Sequence, residues 1–281
     1  MNDSIKGIRI TDIPSDFFES TARRIINYLI GIVKIIETEP KEDVILIGSG
    51  TLVDINGTLG ILTAQHVIDA IPSYGNLGLI ISDKIHRPSV EAKAFVYTYI
   101  ARGRDSSAGP DLGFIKLPNT VIGLLKAYKS FYNISKNRER ALNSPPANEM
   151  GLWCLSGIPD VETITEGPSR GFETVKGFLN FCGFGSISNY RVIDEFDYFD
   201  FDVLYNERTQ SPHSFGGVSG GGLWQILIAK DEYEQLILKE SILSGVACYQ
   251  SPLIDNKRVI KCHGRHSIYD KGYNVLKTDL S

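Results

Sequence analysis

From Leu29 onward the chain breaks into short apolar runs, LIGIVKIIE, DVILIGSGTLVDI, TLGILTA, LGLIIS, EAKAFVYTYIA and DLGFIKL, each set off by Gly, Asn, Asp or Pro. Runs this short, rich in Val, Ile, Thr and aromatic residues, read as successive strands of a sandwich or barrel. Asn56-Gly57, between VDI and TLGILTA, is the signature of a tight hairpin. A second series follows: GLWCLSGIP, ETVKGFLNFCGFGSI, YFDFDVLYN, GGGLWQILIA, SILSGVACYQ and HSIYD. Between the two series, LLKAYKSFYNISKNRERAL is charged and partly helical in spacing, and Asn143-Ser144-Pro145-Pro146 closes it as a connector. Ahead of them, Phe17, Phe18, Ala22, Ile25 and Ile26 recur at helical spacing and predict a short leading helix, expected to pack on the outside. The stretch from about Tyr269 to Leu280 is expected to form a closing helix. These divisions give a helical extension over 1–27, a first β lobe over 28–120, a connector over 121–147, and a second β lobe with the C-terminal segment over 148–281.

Composition narrows the classes of function. With 42% hydrophobic and 22% charged residues the chain can bury a large core, which excludes disorder and fibrous repeats. Its net charge of −4 and lack of a Lys/Arg run exclude a phosphate-backbone partner, so no nucleic acid is expected. Cys154, Cys182, Cys248 and Cys262 are too few and too widely spaced for a disulfide scaffold and read as free thiols in a reducing compartment. The first residues, MNDSIKGIRITDIPSDFFES, lack the basic start and apolar core of a secretory signal. Ile25 to Ile36, the most apolar early stretch, is too short to span a bilayer. The expectation is a soluble, cytoplasmic protein with no membrane partner.

Three segments carry chemistry. In GSGTLVDINGTLGILTAQHVIDAI, a strand pair leads into Thr63-Ala64-Gln65-His66-Val67; in GPDLGFIKLP, Asp111 opens an apolar strand; in SFGGVSGGGLW, Ser219 sits in a glycine-rich bend. Taken singly, a His after a strand reads as structural and an Asp at a strand entrance as a turn or cap residue. Glycines on both sides of Ser219 let the backbone turn tightly and expose the hydroxyl and nearby N–H groups. A phosphate cradle is a poor reading, since no Lys follows those glycines and no helical pattern starts there. Together the segments supply a base, an orienting carboxylate and a nucleophile, in the order His, Asp, Ser.

In that order TAQHV, PDLGFIKL and GGVSGGG resemble the three signature regions of the trypsin/chymotrypsin-like serine peptidases, and the resemblance spans roughly Leu29 to Tyr269. It implies an all-β-dominated fold of two six-stranded antiparallel barrels with short N- and C-terminal helices. It also implies a serine endopeptidase with His66, Asp111 and Ser219 as triad, Gly217 and Ser219 as oxyanion hole, a polypeptide substrate and no cofactor. By the same likeness Cys248, Tyr249 and Gln250 lie where substrate adds as a strand, His213 near the base of the specificity pocket and Gly264 on its wall. A His at 213 argues against a basic P1 residue; an acidic or polar one and a mere loop cap stay open. Val67 stands where secreted members place a cysteine, which favours an intracellular bacterial type, and Val218 replaces the Asp that pairs with a freshly cut N-terminus. A regulated effector with a narrow protein substrate, and a regulatory protein partner, follow as expectations.

Three other readings compete. Cys248 and the Cys262-His263-Gly264-Arg265-His266 cluster invite a zinc check, but one compact cluster falls short of four convergent ligands, so no metal is expected. A catalytically silent peptide-binding or signalling module on the same fold is opposed by the filled triad positions. Hydrolysis of a non-peptide ester is permitted by the same chemistry. FDYFDFDVLYN is expected to be a barrel strand with an acidic solvent face rather than a recognition surface.

Overall fold

The computed structural model describes residues 13–38, 41–81, 87–103, 109–143, 152–166, 175–204 and 212–279. Parts of the sequence-defined leading extension, 1–12, and of the connector, 144–147, lie outside the described residues. Helix α1 (Ser15–Ile26) precedes the first run of strands, β1 (Leu29–Thr38), β2 (Lys41–Ile55) and β3 (Thr58–Thr63). Helix α2 (Gln65–Asp69) follows, then β4 (Asn76–Ile80), β5 (Ser89–Glu91), β6 (Val96–Arg102) and β7 (Asp111–Lys116). The connector folds as α3 (Asn119–Tyr128), β8 (Tyr132–Asn133) and α4 (Ile134–Asn143). The second run comprises β9 (Leu152–Gly157), β10 (Thr163–Glu166), β11 (Val175–Phe178), β12 (Phe181–Ile193), β13 (Phe196–Leu204), β14 (Gly222–Lys230), β15 (Leu236–Gln250) and β16 (Lys257–His263). A π-helical turn over Ser267–Gly272 leads into α5 (Tyr273–Asp279).

The hairpin predicted at Asn56-Gly57 joins β2 to β3, with both residues at positive φ, 52° and 85°. Asp54 Oδ1 accepts the Gly57 N–H at 2.8 Å and holds the turn shut. Strand periodicity then sorts the apolar side chains onto two faces. In β2, Leu52 faces a core shared with Ile30, Ile32, Ile61 and Ile115, whereas Val53 and Ile55 face a core shared with the second lobe. Burying each such side chain stabilises by roughly 1.5–3 kcal/mol, which is why the strands read as nearly continuous apolar runs.

The two lobes differ in closure. Strands β12-β13-β16-β15-β14-β9 form a closed six-stranded antiparallel ring, as expected for the second lobe. Its interior is filled by Trp153, Leu155, Phe199, Phe201, Leu223 and Ile260. The first lobe departs from the six-stranded expectation. It is an eight-stranded sheet in the order β5-β4-β1-β2-β3-β7-β6, with β8 paired in parallel to β2. The extra strand comes from the connector: Tyr132 and Asn133 add to β2 at Val53 and Asp54.

The leading helix is also more than an outer layer. Phe17, Thr21 and Ile25 are buried, and Phe17 and Ile25 belong to the core between the lobes. There Tyr28 stacks on Trp224 at 5.3 Å between ring centroids, and Tyr132 meets the same indole edge-on at 5.4 Å. The connector is tied to the C-terminal segment, since Arg138 Nε donates to Tyr269 O at 2.7 Å and the guanidinium pairs with Asp270. Among the described residues no helix is long and apolar enough to cross a membrane.

Candidate active site

His66 lies in the first turn of α2, where the backbone N–H groups have no partner inside the helix. Asp111, the first residue of β7 and 2% exposed, fills that role and a second one. Its Oδ1 accepts the His66 backbone N–H at 2.9 Å, and its Oδ2 lies 2.5 Å from His66 Nδ1. A carboxylate here accepts, so the ring proton sits on Nδ1 and Nε2 carries the free lone pair. The imidazole remains 39% exposed while its carboxylate partner is closed off from water. One acidic side chain thus fixes both the backbone and the tautomer of the histidine.

Ser219 comes from the other lobe, in the turn between the loop at 212–215 and β14. Gly217 and Gly220 both hold positive φ, 84° and 87°, which explains the glycines on either side of the serine. A Cβ at Gly220 would stand 2.1 Å from Ser49 O and from Thr63 Oγ1, so the turn presses directly on β2 and β3. Bonds from Ser49 and β15 hold it there. Ser49 N donates to Ser219 O at 2.8 Å, Ser49 Oγ donates to Gly217 O at 2.7 Å, and Gly220 N donates to Ala247 O at 2.7 Å. Ser219 O also lies 3.2 Å from where a Cβ at Gly48 would stand, a position that packs against Val67, the neighbour of His66. Ser219 O and Val67 thus both pack at Gly48. Ser219 Oγ has no hydrogen-bond partner among the described residues.

The turn's N–H groups are unevenly used. Those of Phe215, Gly216, Val218, Gly220 and Gly221 donate to Gln250 Oε1, Ser214 Oγ, Phe215 O, Ala247 O and Val218 O. Those of Gly217 and Ser219 have no acceptor among the described residues, and they are the two named from the sequence as an oxyanion hole.

The sequence-named substrate positions separate. Tyr249 and Gln250 are half-buried at the end of β15, and Gln250 Oε1 accepts from both Phe215 N and Arg258 Nη1. Cys248 turns inward instead: it is 2% exposed and its Sγ lies 3.3 Å from Lys261 O. Burial, and after it the negative Asp111, push its thiol up to about 12, so it is an uncharged wall group. His213 is exposed at the start of the turn. Gly264 follows β16 and packs on Asp197, whose carboxylate would lie 2.2 Å from a Cβ there. Asp197 itself departs from the acidic solvent face expected of β13: it is 1% exposed and accepts the N–H groups of His266 and Ser267.

The cysteine–histidine cluster does not converge. Cys262 faces the ring interior, His263 faces Asp111, and His266 pairs with Asp270. Among the described residues no group of three or more His, Cys, Asp or Glu side chains is placed to hold a metal ion.

Two residues were given no part in this site by the sequence reading. Ser49 holds the turn that carries Ser219, and the only local sign of it is the glycine on each side, Gly48-Ser49-Gly50. His263 accepts the backbone N–H of Asp111 at 2.8 Å.

No family model matches the chain, and no curated protein matches it. Among the solved structures it is similar to is one from work on aromatic interactions that drive the coupled folding and binding of the intrinsically disordered Sesbania mosaic virus VPg protein. That likeness is 14% identity over 85% of this chain and 88% of the other, with a TM-score of 0.42. Another is an HtrA-type protease, AlgW, with a decapeptide, at 11% identity over 86% of this chain and 62% of the other, with a TM-score of 0.42. Likeness at that level carries no argument about what this chain does.

Proposed function

We propose that the chain is a serine endopeptidase of the trypsin-like class, built on two β lobes with the triad at their junction. The observation that carries this reading is the double engagement of His66 by Asp111, at 2.9 Å to the backbone N–H and 2.5 Å to Nδ1. That arrangement leaves Nε2 as a base and supplies a buried negative charge for the imidazolium that forms. Ser219 Oγ attacks the substrate carbonyl carbon while its proton passes to His66 Nε2. The carbonyl π electrons move to oxygen, where the unspent N–H groups of Gly217 and Ser219 receive the charge, a contribution of about 3–4 kcal/mol to the barrier in sites of this kind. Collapse breaks the C–N bond, the amine leaves with the proton from Nε2, and water repeats the sequence to release the acid and restore Ser219. Substrate runs as an added strand beside Tyr249 and Gln250.

A second reading rests on one observation. Ser219 Oγ makes no hydrogen bond to the imidazole, which suits a peptide-binding module that keeps the residues without turnover; the same looseness is common in enzymes before substrate binds. A fluorophosphonate probe with intact-mass detection separates the two. We expect one adduct on the wild-type protein, none on Ser219→Ala, and labelling slowed on the order of 10⁴-fold in Asp111→Asn. Folded wild-type protein that takes up no probe and cleaves no peptide library would leave the binding module standing.

A further inference from the structure

His263 closes β16 and is fully buried. Its Nε2 accepts the Asp111 N–H across 152 residues of chain, at 2.8 Å. An acceptor at Nε2 requires a neutral ring with its proton on Nδ1. That Nδ1 is itself buried and has no hydrogen-bond partner among the described residues. The ring lies 4.8 Å from the Tyr198 ring and 5.9 Å from the Phe196 ring. Aromatic neighbours such as these would also accommodate a phenylalanine or leucine, but neither accepts a hydrogen bond, and the buried Asp111 N–H would be left unpaired. What an imidazole adds here is the one lone pair that meets Asp111.

We propose that His263 is a positioning residue of the triad: through Nε2 it fixes the main chain of Asp111, and with it the carboxylate that orients His66, to the lobe that carries Ser219. The inference rests on reading His66, Asp111 and Ser219 as a triad. Without the bond, the first residue of β7 is free to shift against β16, and the 2.5 Å contact to His66 Nδ1 shifts with it. Protonation has the same effect, because a donor at Nε2 then faces a donor at Asp111. The charged and titratable groups around the ring are Asp111 from β7, Tyr198 from β13, Cys248 from β15 and Lys261 two residues earlier on β16 itself. Burial pushes the imidazole down to about 4; Asp111 opposes that and Lys261 adds to it. The bond therefore holds at neutral pH and fails in acid.

The test compares His263→Gln, whose amide oxygen reaches the place of Nε2, with His263→Asn, which falls one methylene short. Two measurements are made: fluorophosphonate labelling rate, and titration of the His66 imidazole by NMR in a Ser219→Ala background. We expect Asn to slow labelling roughly a hundredfold and to move the His66 titration, with Gln within about tenfold of wild type. Equal behaviour of folded Gln and Asn variants, whether both unimpaired or both impaired, overturns the proposal. If the wild-type protein takes up no probe, the triad reading fails, while a His66 titration moved by Asn and kept by Gln still upholds the positioning role. If Asn does not fold, the wild-type protein decides: the His66 Nδ1–H resonance should vanish as His263 protonates, and its survival in that range refutes the link.

Discussion

Ser49 bears on the turn that carries Ser219, from the opposite lobe, through three hydrogen bonds. Its Oγ donates to Gly217 O at 2.7 Å and accepts the Ile158 N–H at 2.9 Å, while its own N–H holds Ser219 O at 2.8 Å. Ser49→Ala keeps the last bond and loses the first two. Ile158 is 0% exposed, so its N–H is left buried without an acceptor, which destabilises by about 1–3 kcal/mol. With Gly217 released, probe labelling at Ser219 should slow by at least roughly tenfold, since an oxyanion donor displaced even slightly loses much of its effect. Urea denaturation and labelling rates check the two parts, and a variant as stable and as reactive as wild type would remove Ser49 from the site. The strand end before His66, the strand entrance at Asp111 and the glycine bend at Ser219 were legible in the sequence because each carries a local sign. Ser49 and His263 were not, because their partners lie 168 and 152 residues away and nothing beside them announces the pairing.

Strands and hairpins were legible to the extent that alternation and turn chemistry act locally. Asn56-Gly57 turns as its residue types require, and Asp111 heads a strand as written. How strands join was not: an extra β8 from a charged connector depends on which edge is open, and the burial of α1 depends on β12 and β15 of the second lobe, where Phe18 meets the Phe184 ring. The pairing of β9 with β12 makes the same point for the cysteines, which sequence spacing alone gave as separate thiols. Register sets Phe184 opposite Cys154 and Ser156 opposite Cys182, which puts the two cysteines on a diagonal with sulfurs 2.7 Å apart. Burial, with the Cys182 sulfur beside it, pushes the Cys154 thiol well above its ordinary value, so attack must begin from half-exposed Cys182. Diamide should therefore consume two thiols and yield a Cys154–Cys182 link by peptide mapping, with Cys248 and Cys262 alkylated only after unfolding. Four reactive thiols after treatment, or links between chains, would contradict that geometry.

At the scale of the molecule, the same few bonds join the lobes and shape the site. Asp111 to His263 and Ser49 to Gly217 and Ser219 each cross from the first lobe to the second, so conditions that part the lobes dismantle the proposed triad as well. Acid is such a condition, and its sign follows from His263. In the folded chain burial pushes its imidazole down to about 4, against an ordinary 6.5 once unfolded. Between those values the unfolded chain holds more protons, so stability rises with pH across the window and is lost as pH falls through it. For a group this deeply buried the full difference is on the order of 3 kcal/mol. His263→Gln carries no titrating ring and should flatten this part of the profile while keeping the bond to Asp111. Denaturation curves at pH 4.5 and pH 7 for the two proteins give the comparison: wild type should lose markedly more stability at the lower pH than the glutamine variant. An equal loss in both would assign acid sensitivity to other groups and leave His263 with a role at neutral pH alone.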